Sequence, residues 1–399
     1  MNIGVISPQD WGLPVAMATS KDVIPELGVS PAEIEYRIRA NVYEWLPRQF
    51  DEAEGAFHGF YRAPDRHLDF PQTVNLIAPW ELLAAYDRYG DEELLTMARR
   101  AADWFYGHFV ISHPMSVVAG GVRDGLATHE VWTKFASEFV ILSLGLHRRT
   151  DDDTWLERAI QSGRYLIQAA RHGHAPKYDL NTGRWVGQDF GWQSFGRAIE
   201  ACLLLAQATD DDSWQERALD WGRFGLSIQA DDGCFYLIDK EYYNTDLAAD
   251  ELRGLTFLYE LSAENAFLRS AQAFADWHLR CQQENGAWPL TIDRDGNVVM
   301  PVVGPGDIPN IGIALLRLAH VTGEKRYREA ACCCFRYTLS VQAIPGSDHP
   351  YLDDPHVRWG FWSWDPYYDY TMSGDQSTHH VRGLMFFLDE MAAPQNLNE

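Results

Sequence analysis

Three short stretches concentrate side chains that move protons or hold charge. "EYYNTD" (241–246) sets Tyr242, Tyr243 and Asn244 between two carboxylates. "SGDQSTHHVRG" (373–383) sets Asp375, His379, His380 and Arg382 together, and "THEVWTK" (128–134) carries His129, Trp132 and Lys134. Histidine serves proton transfer, metal binding and hydrogen bonding, and most of the 14 histidines fall in or beside long polar connections. Lys134, Arg197, Arg253 and Arg382 each sit about one turn into an apolar segment. Such cations either meet Glu130, Glu138, Glu200 or Glu251, or converge on an anionic ligand such as a carboxylate. Rings are interleaved with these polar groups, among them Trp192 beside Gln193, and "FWSWDPYYDY" (361–370). A pyranose stacks its apolar face on rings and gives its hydroxyls to polar neighbours.

What positions these residues is a repeat with a period of roughly 60 residues. It shows in "ACLLLAQATDDDSWQERALDWGRFGLSIQA" and in "IALLRLAHVTGEKRYREAACCCFRYTLSVQ". Each unit reads as a helix apolar nearly all round, a short polar turn, and an amphipathic helix. The first kind is buried on most faces and the second turns one side to solvent. Outer helices are expected near 31–48, 92–109, 153–171, 212–229, 264–283 and 325–341. Inner helices are expected near 72–89, 131–149, 193–209, 248–262, 308–322 and 377–392. "SPAEIEYRIRANVYEWL" opens the first outer helix with a Ser cap and Pro at the first turn. Six pairs, starting outer and ending inner, close a ring: an all-α (α/α)6 toroid in a single domain, 1–399, with an N-terminal extension 1–29. The long connections leave room for a seventh pair.

The connections are unequal. Inner-to-outer turns such as "RTDDDT" and "TGEK" are short. Outer-to-inner connections, near 49–71, 110–130, 172–192, 230–247, 284–307 and 342–376, are long, share one face and mark the functional one. The aspartate runs "DDDTW" and "DDDSW" fall in the short turns and read as helix caps rather than metal ligands. "QADDGCF" and "QQENGAW" resemble the glutamine–tryptophan turns of isoprenoid cyclases, but the acid motif of those enzymes is absent from the functional face. "FWSWDPYYDY" falls in the last long connection, and Pro366 argues against a core strand. Trp362, Trp364, Tyr367 and Tyr368 are therefore expected to form a sugar-stacking wall, with His379 and His380 in reach.

Composition excludes several classes. A net charge of −24 offers no basic stripe for nucleic acid. No apolar run is long enough to span a bilayer. The start lacks the pattern of a signal peptide, so a cytoplasmic location is expected unless a signal was removed. The six cysteines form no CxxC pair and read as buried free thiols. HExxH, GxSxG and phosphate-loop motifs are absent, and neither a cofactor nor a metal is expected.

On its repeats and turns, such as "TGEKRYREAA", nearly the whole chain resembles the carbohydrate-active (α/α) toroids: glycoside hydrolases, uronate-specific polysaccharide lyases and sugar epimerases. Among these it looks most like the small glucuronan and alginate lyases of polysaccharide lyase family 38. It shares size and acidity with the unsaturated glucuronyl hydrolases, and length and histidine content with the N-acylglucosamine 2-epimerase group, without the motifs of either. The resemblance implies an anionic carbohydrate substrate and β-elimination. His129 or His379 would be the base and Tyr243 the base or acid. Asn244, Gln193 and Arg253 would hold the carboxylate. Trp192, Lys134, Arg197, His380 and Arg382 would complete the binding set. An inverting glycosidase, which needs two carboxylates, could draw on Asp189, Glu241, Asp246, Asp307 and Asp375. A sugar epimerase and a non-catalytic sugar-binding toroid are the further alternatives.

Overall fold

The computed structural model describes residues 23–187, 195–237, 241–365 and 369–392. Twelve α-helices occur among them. The inner ones are α2 (Ala78–Tyr89), α4 (Thr133–Thr150), α6 (Phe195–Thr209), α8 (Ala248–Ser262), α10 (Asp307–Thr322) and α12 (Gly374–Ala392). The outer ones are α1 (Pro31–Ala40), α3 (Glu92–Phe109), α5 (Asp153–Arg171), α7 (Ser213–Ile228), α9 (Asn265–Leu279) and α11 (Lys325–Ser340). Each inner helix packs on the next, α12 returns to α2, and α1 also packs on α12. The result is a closed (α/α)6 toroid. The described residues hold six pairs and no seventh, and none of their helices is long and apolar enough to cross a membrane.

The capping expectations hold. Ser30 accepts from the Glu33 amide at 3.2 Å, and Asp91, Asp152 and Asp211 accept from Glu93, Thr154 and Ser213 amides at 3.0, 3.0 and 2.9 Å. These acids satisfy orphan amides and complement the helix dipole. The glutamine turns tie each repeat to the next. Gln229 Nε2 donates to the Gly233 carbonyl at 2.8 Å and to Ser270 at 3.0 Å. Gln282 Nε2 donates in the same way to Gly286 and Ala330, at 3.0 and 3.3 Å. Gly233 has φ +95°, and a Cβ there would fall 2.5 Å from the Ala273 carbonyl oxygen. Glycine is required by both conformation and space.

The long connections carry structure that the helical pattern does not reveal. They hold twelve short strands, β1 (Phe50–Asp51), β2 (Ala56–Phe57), β3 (Tyr61–Arg62), β4 (His67–Leu68), β5 (Val122–Arg123), β6 (Glu130–Trp132), β7 (Lys177–Asp179), β8 (Arg184–Val186), β9 (Tyr242–Asn244), β10 (Thr291–Asp293), β11 (Val298–Met300) and β12 (Thr371–Met372). Three antiparallel pairings join separate connections: β6 with β7 (Val131 opposite Tyr178), β9 with β10 (Tyr243 opposite Ile292), and β3 with β12 (Arg62 opposite Thr371). The loops are thereby stapled in pairs into a collar around the mouth of the ring.

Below the collar the helices approach closely. A Cβ on Gly196 of α6 would fall 2.0 Å from the Asp250 carbonyl oxygen, and one on Gly254 of α8 would fall 2.7 Å from the Gly196 Cα. Gly196→Ala should therefore cost at least ~1–3 kcal/mol by overpacking, read as a lower denaturant midpoint at unchanged slope. An unshifted midpoint would mean that α6 and α8 do not touch here.

Candidate active site

A cavity of about 520 Å³ opens at the collar, over the starts of the inner helices. Phe60, Phe135, Trp132 and Trp364 supply rings to its wall. Five carboxylates line it: Asp124, Glu138, Asp246, Asp307 and Asp375. Lys134 and His379 are the basic groups among its lining residues.

The carboxylates are held in different states. Lys134 Nζ lies 3.4 and 3.3 Å from the two Asp246 oxygens, and the Asn244 side chain accepts from the Asp246 amide at 3.1 Å. Asp246 in turn is hydrogen-bonded to Asp307. Removal from water and the facing Asp246 charge push the Asp307 carboxyl well above the usual carboxylate range. Two adjacent carboxylates cannot both ionise cheaply, so the pair shares a proton. The Lys134 charge opposes this rise of Asp307 without cancelling it. Asp375 behaves in the opposite way. Burial would raise it, but the hydrogen bond and charge of His379, with Lys134 nearby, hold it below its ordinary value. Its Oδ1 is 3.4 Å from His379 Nε2, while His379 Nδ1 is buried with no hydrogen-bond partner among the described residues.

Glu138 sits one helical turn below Lys134, on the same face of α4. Its side chain is 4% exposed, with Arg197 Nε 3.6 Å away. Burial raises its carboxyl to about 7, against the opposing charges of Lys134 and Arg197. Beneath this floor a buried network joins α6 to α8. Arg197 Nε approaches Asp250 at 2.9 Å and its Nη1 donates to Glu200 at 3.1 Å. Arg253 Nη2 donates to the same Glu200 oxygen at 2.7 Å. The Trp80 ring packs under Arg197 and Arg382, 5.1 and 4.9 Å from ring centre to guanidinium carbon.

The structure separates the expected residues into groups. Lys134, Asn244, His379, Trp132 and Trp364 line the cavity, as do Asp246, Asp307 and Asp375 from the hydrolase set. Tyr243 does not. On β9 successive side chains alternate, and with Asn244 turned to the cavity, Tyr243 turns into the core. It is 1% exposed and packs edge-on against Phe274, Trp277 and His278. Burial keeps its phenol far from ionising. His129 is exposed on the outer side of the collar, its carbonyl accepting from Leu180 N at 2.8 Å. Arg197, Arg253 and Arg382 lie in the network under the floor rather than in the cavity. Trp362, 1% exposed, is core and donates to His349 at 3.3 Å. His380 is fully buried, stacked on Phe361 at 4.2 Å, and burial holds it well below its ordinary value. Glu241 is exposed outside the cavity. Asp189, Trp192, Gln193, Tyr367 and Tyr368 lie outside the described residues.

Glu138 and Asp124 are the cavity carboxylates that the sequence reading missed as site residues. For Glu138 a signal existed, since its spacing from Lys134 puts the two on one helical face. No group of three or more His, Cys, Asp or Glu among the described residues is arranged to hold a metal ion.

No family model and no curated protein matches the chain. Solved structures do. D-mannose isomerase matches at TM-score 0.71 and 15% identity, covering 90% of this chain and 98% of that one. Cellobiose 2-epimerase from Bacillus thermoamylovorans matches at 0.70 and 11%, covering 90% and 99%. An unsaturated glucuronyl hydrolase specific for heparin matches at 0.63 and 13%, covering 90% and 97%. At these identities what is shared is the toroid fold.

The charge arrangement is testable without a substrate. Lys134 is the largest of the charges opposing the upward shift of Glu138. Lys134→Met should move the Glu138 titration, near about 7, to higher pH, followed by carbon NMR of labelled glutamate carboxyls. An unmoved midpoint would contradict the arrangement.

Proposed function

We propose that the chain is a carbohydrate-active enzyme that hydrolyses a glycosidic bond in a neutral sugar. One observation carries this reading: within one ring-lined cavity, burial and the Asp246 charge push the Asp307 carboxyl up while the hydrogen bond and charge of His379 hold Asp375 down. Pairs of carboxyls whose surroundings push them apart are suited to acid and base roles. Asp307 would give its proton to the leaving glycosidic oxygen. Asp375, oriented by His379, would take a proton from the attacking water as the water oxygen bonds to the anomeric carbon. The charge on Asp246 would stabilise the positive character that develops on the sugar ring. Trp132 and Trp364 would stack the pyranose.

Elimination on a uronate has less support. Of the four expected cations only Lys134 reaches the cavity, and it is paired with Asp246. Tyr243, the intended acid or base, is in the core. Epimerisation is the second reading, favoured by His379, whose Nε2 meets Asp375 while Nδ1 is unpartnered. A histidine paired with a carboxylate at a cavity wall would serve to move a proton on a carbon next to a carbonyl.

Incubation with neutral oligosaccharides and with uronans separates these readings. Hydrolysis produces new reducing ends without conjugated-enoate absorbance. Enoate absorbance would instead mean elimination, interconversion without new ends would mean epimerisation, and affinity without any reaction would mean a binding protein. Asp307→Asn should lower the rate by about 10²–10⁴-fold, and a fully active variant would remove Asp307 from the chemistry. The rate should fall on the alkaline side as Asp307 loses its proton, above the ordinary carboxylate range. It should fall on the acid side as Asp375 is protonated, below that range.

A further inference from the structure

We propose that the cavity is a blind socket for the terminal residue of a neutral oligosaccharide, so that the chain acts at chain ends and not within a polymer. This rests on the sugar-hydrolysing reading above and adds the mode of attack and the size of substrate.

The floor is closed. Glu138 of α4 and Arg197 of α6, both nearly buried, face one another at 3.6 Å between neighbouring inner helices, and Arg197 continues to Asp250 of α8 at 2.9 Å. These buried pairs lie at and beneath Glu138, which lines the cavity, and form its floor. Opening it would leave buried charges unpaired, at a cost of several kcal/mol.

The wall is nearly continuous. Among the described residues, five of the six long connections contribute lining residues: Phe60, Asp124, Asn244, Gly304 and Trp364 each come from a different one. The sixth connection stands behind Trp132, where β7 pairs with β6. A polymer crossing the site needs two opposed gaps in the wall, and lining residues contributed from five connections around the mouth argue against them. The pairings of β3 with β12, β6 with β7 and β9 with β10 fix neighbouring connections to one another, so the wall does not open by moving one loop alone.

The size agrees. A volume of about 520 Å³ is in the range of pockets that enclose most of a small ligand. We take its capacity to be about two sugar units. The rings of Trp132 and Trp364 provide stacking for a terminal unit, and the Asp307–Asp375 pair would address the bond that joins it to the next.

The test uses the full chain with β-linked gluco-, manno- and N-acetylglucosamine oligosaccharides of increasing length, labelled at the reducing end. Early products should be the terminal mono- or disaccharide and the shortened remainder. Affinity, measured by calorimetry on Asp307→Asn, should rise by less than about twofold beyond two units. With the corresponding soluble polymer, reducing ends should accumulate while viscosity stays near its starting value. Internal fragments at the earliest times, a rapid fall in viscosity, or affinity still climbing with the third and fourth units would overturn the socket while leaving hydrolysis intact. An affinity plateau at two units without cleavage would support the socket and count against hydrolysis. No binding to any member of the series would overturn both.

Discussion

Removing carboxylates from water is the constraint around which the centre of this molecule is organised. A ring of six inner helices closes on itself, and whatever its inward faces carry near the axis is desolvated. An isolated buried charge is prohibitive, so each such group must pair, share a proton or stay neutral. All three outcomes occur. Arg197, Arg253, Glu200 and Asp250 pair under the floor. Asp246 and Asp307 share a proton beside Lys134. Glu81 of α2, fully buried at the ring closure beside Thr378 of α12, is raised to about 8 and stays neutral below that pH. The differences in protonation that would serve catalysis are the same differences that burial imposes.

The collar converts this charged centre into a site. The inner helices alone would present carboxylates at the bottom of an open ring. The short strands of the long connections raise a wall around them and bring rings such as Trp132 and Trp364 to its inner side. The wall also limits access of water, which strengthens every electrostatic interaction behind it. Alternation along the strands then decides which side chains enter. On β9 it admits Asn244 and sends Tyr243 into the core.

Much of the fold was legible because it depends on local pattern. Apolar-all-round helices, amphipathic partners and Asp-capped turns repeat, and all twelve helices fall close to their expected ranges. The site was less legible, for physical reasons. The pairing of Asp246 with Asp307 joins two repeats, and nothing local announces it. A residue one position along a strand faces the opposite way, which misplaced Tyr243. Adjacent helical positions point about 100° apart, so His379 reaches the cavity while His380 stacks on Phe361 in the core. The arginines one turn into α6, α8 and α12 read as anion-binding cations. Glu200 and Asp250, which pair with Arg197 and Arg253, sit on the same inner helices or the neighbouring ones, and Arg382 lies over the Trp80 ring. In "FWSWDPYYDY" the described rings divide the same way, Phe361 and Trp362 buried and Trp364 on the cavity.

The account turns on one proton. Infrared difference spectroscopy of wild type against Asp307→Asn at neutral pH reads it directly, with labelled aspartate to assign the bands. The account predicts that the wild type carries a protonated-carboxyl stretch that the variant lacks. If the substitution removes only an ionised-carboxylate band, Asp307 is charged at neutral pH, and the assignment of acid and base in this cavity is contradicted.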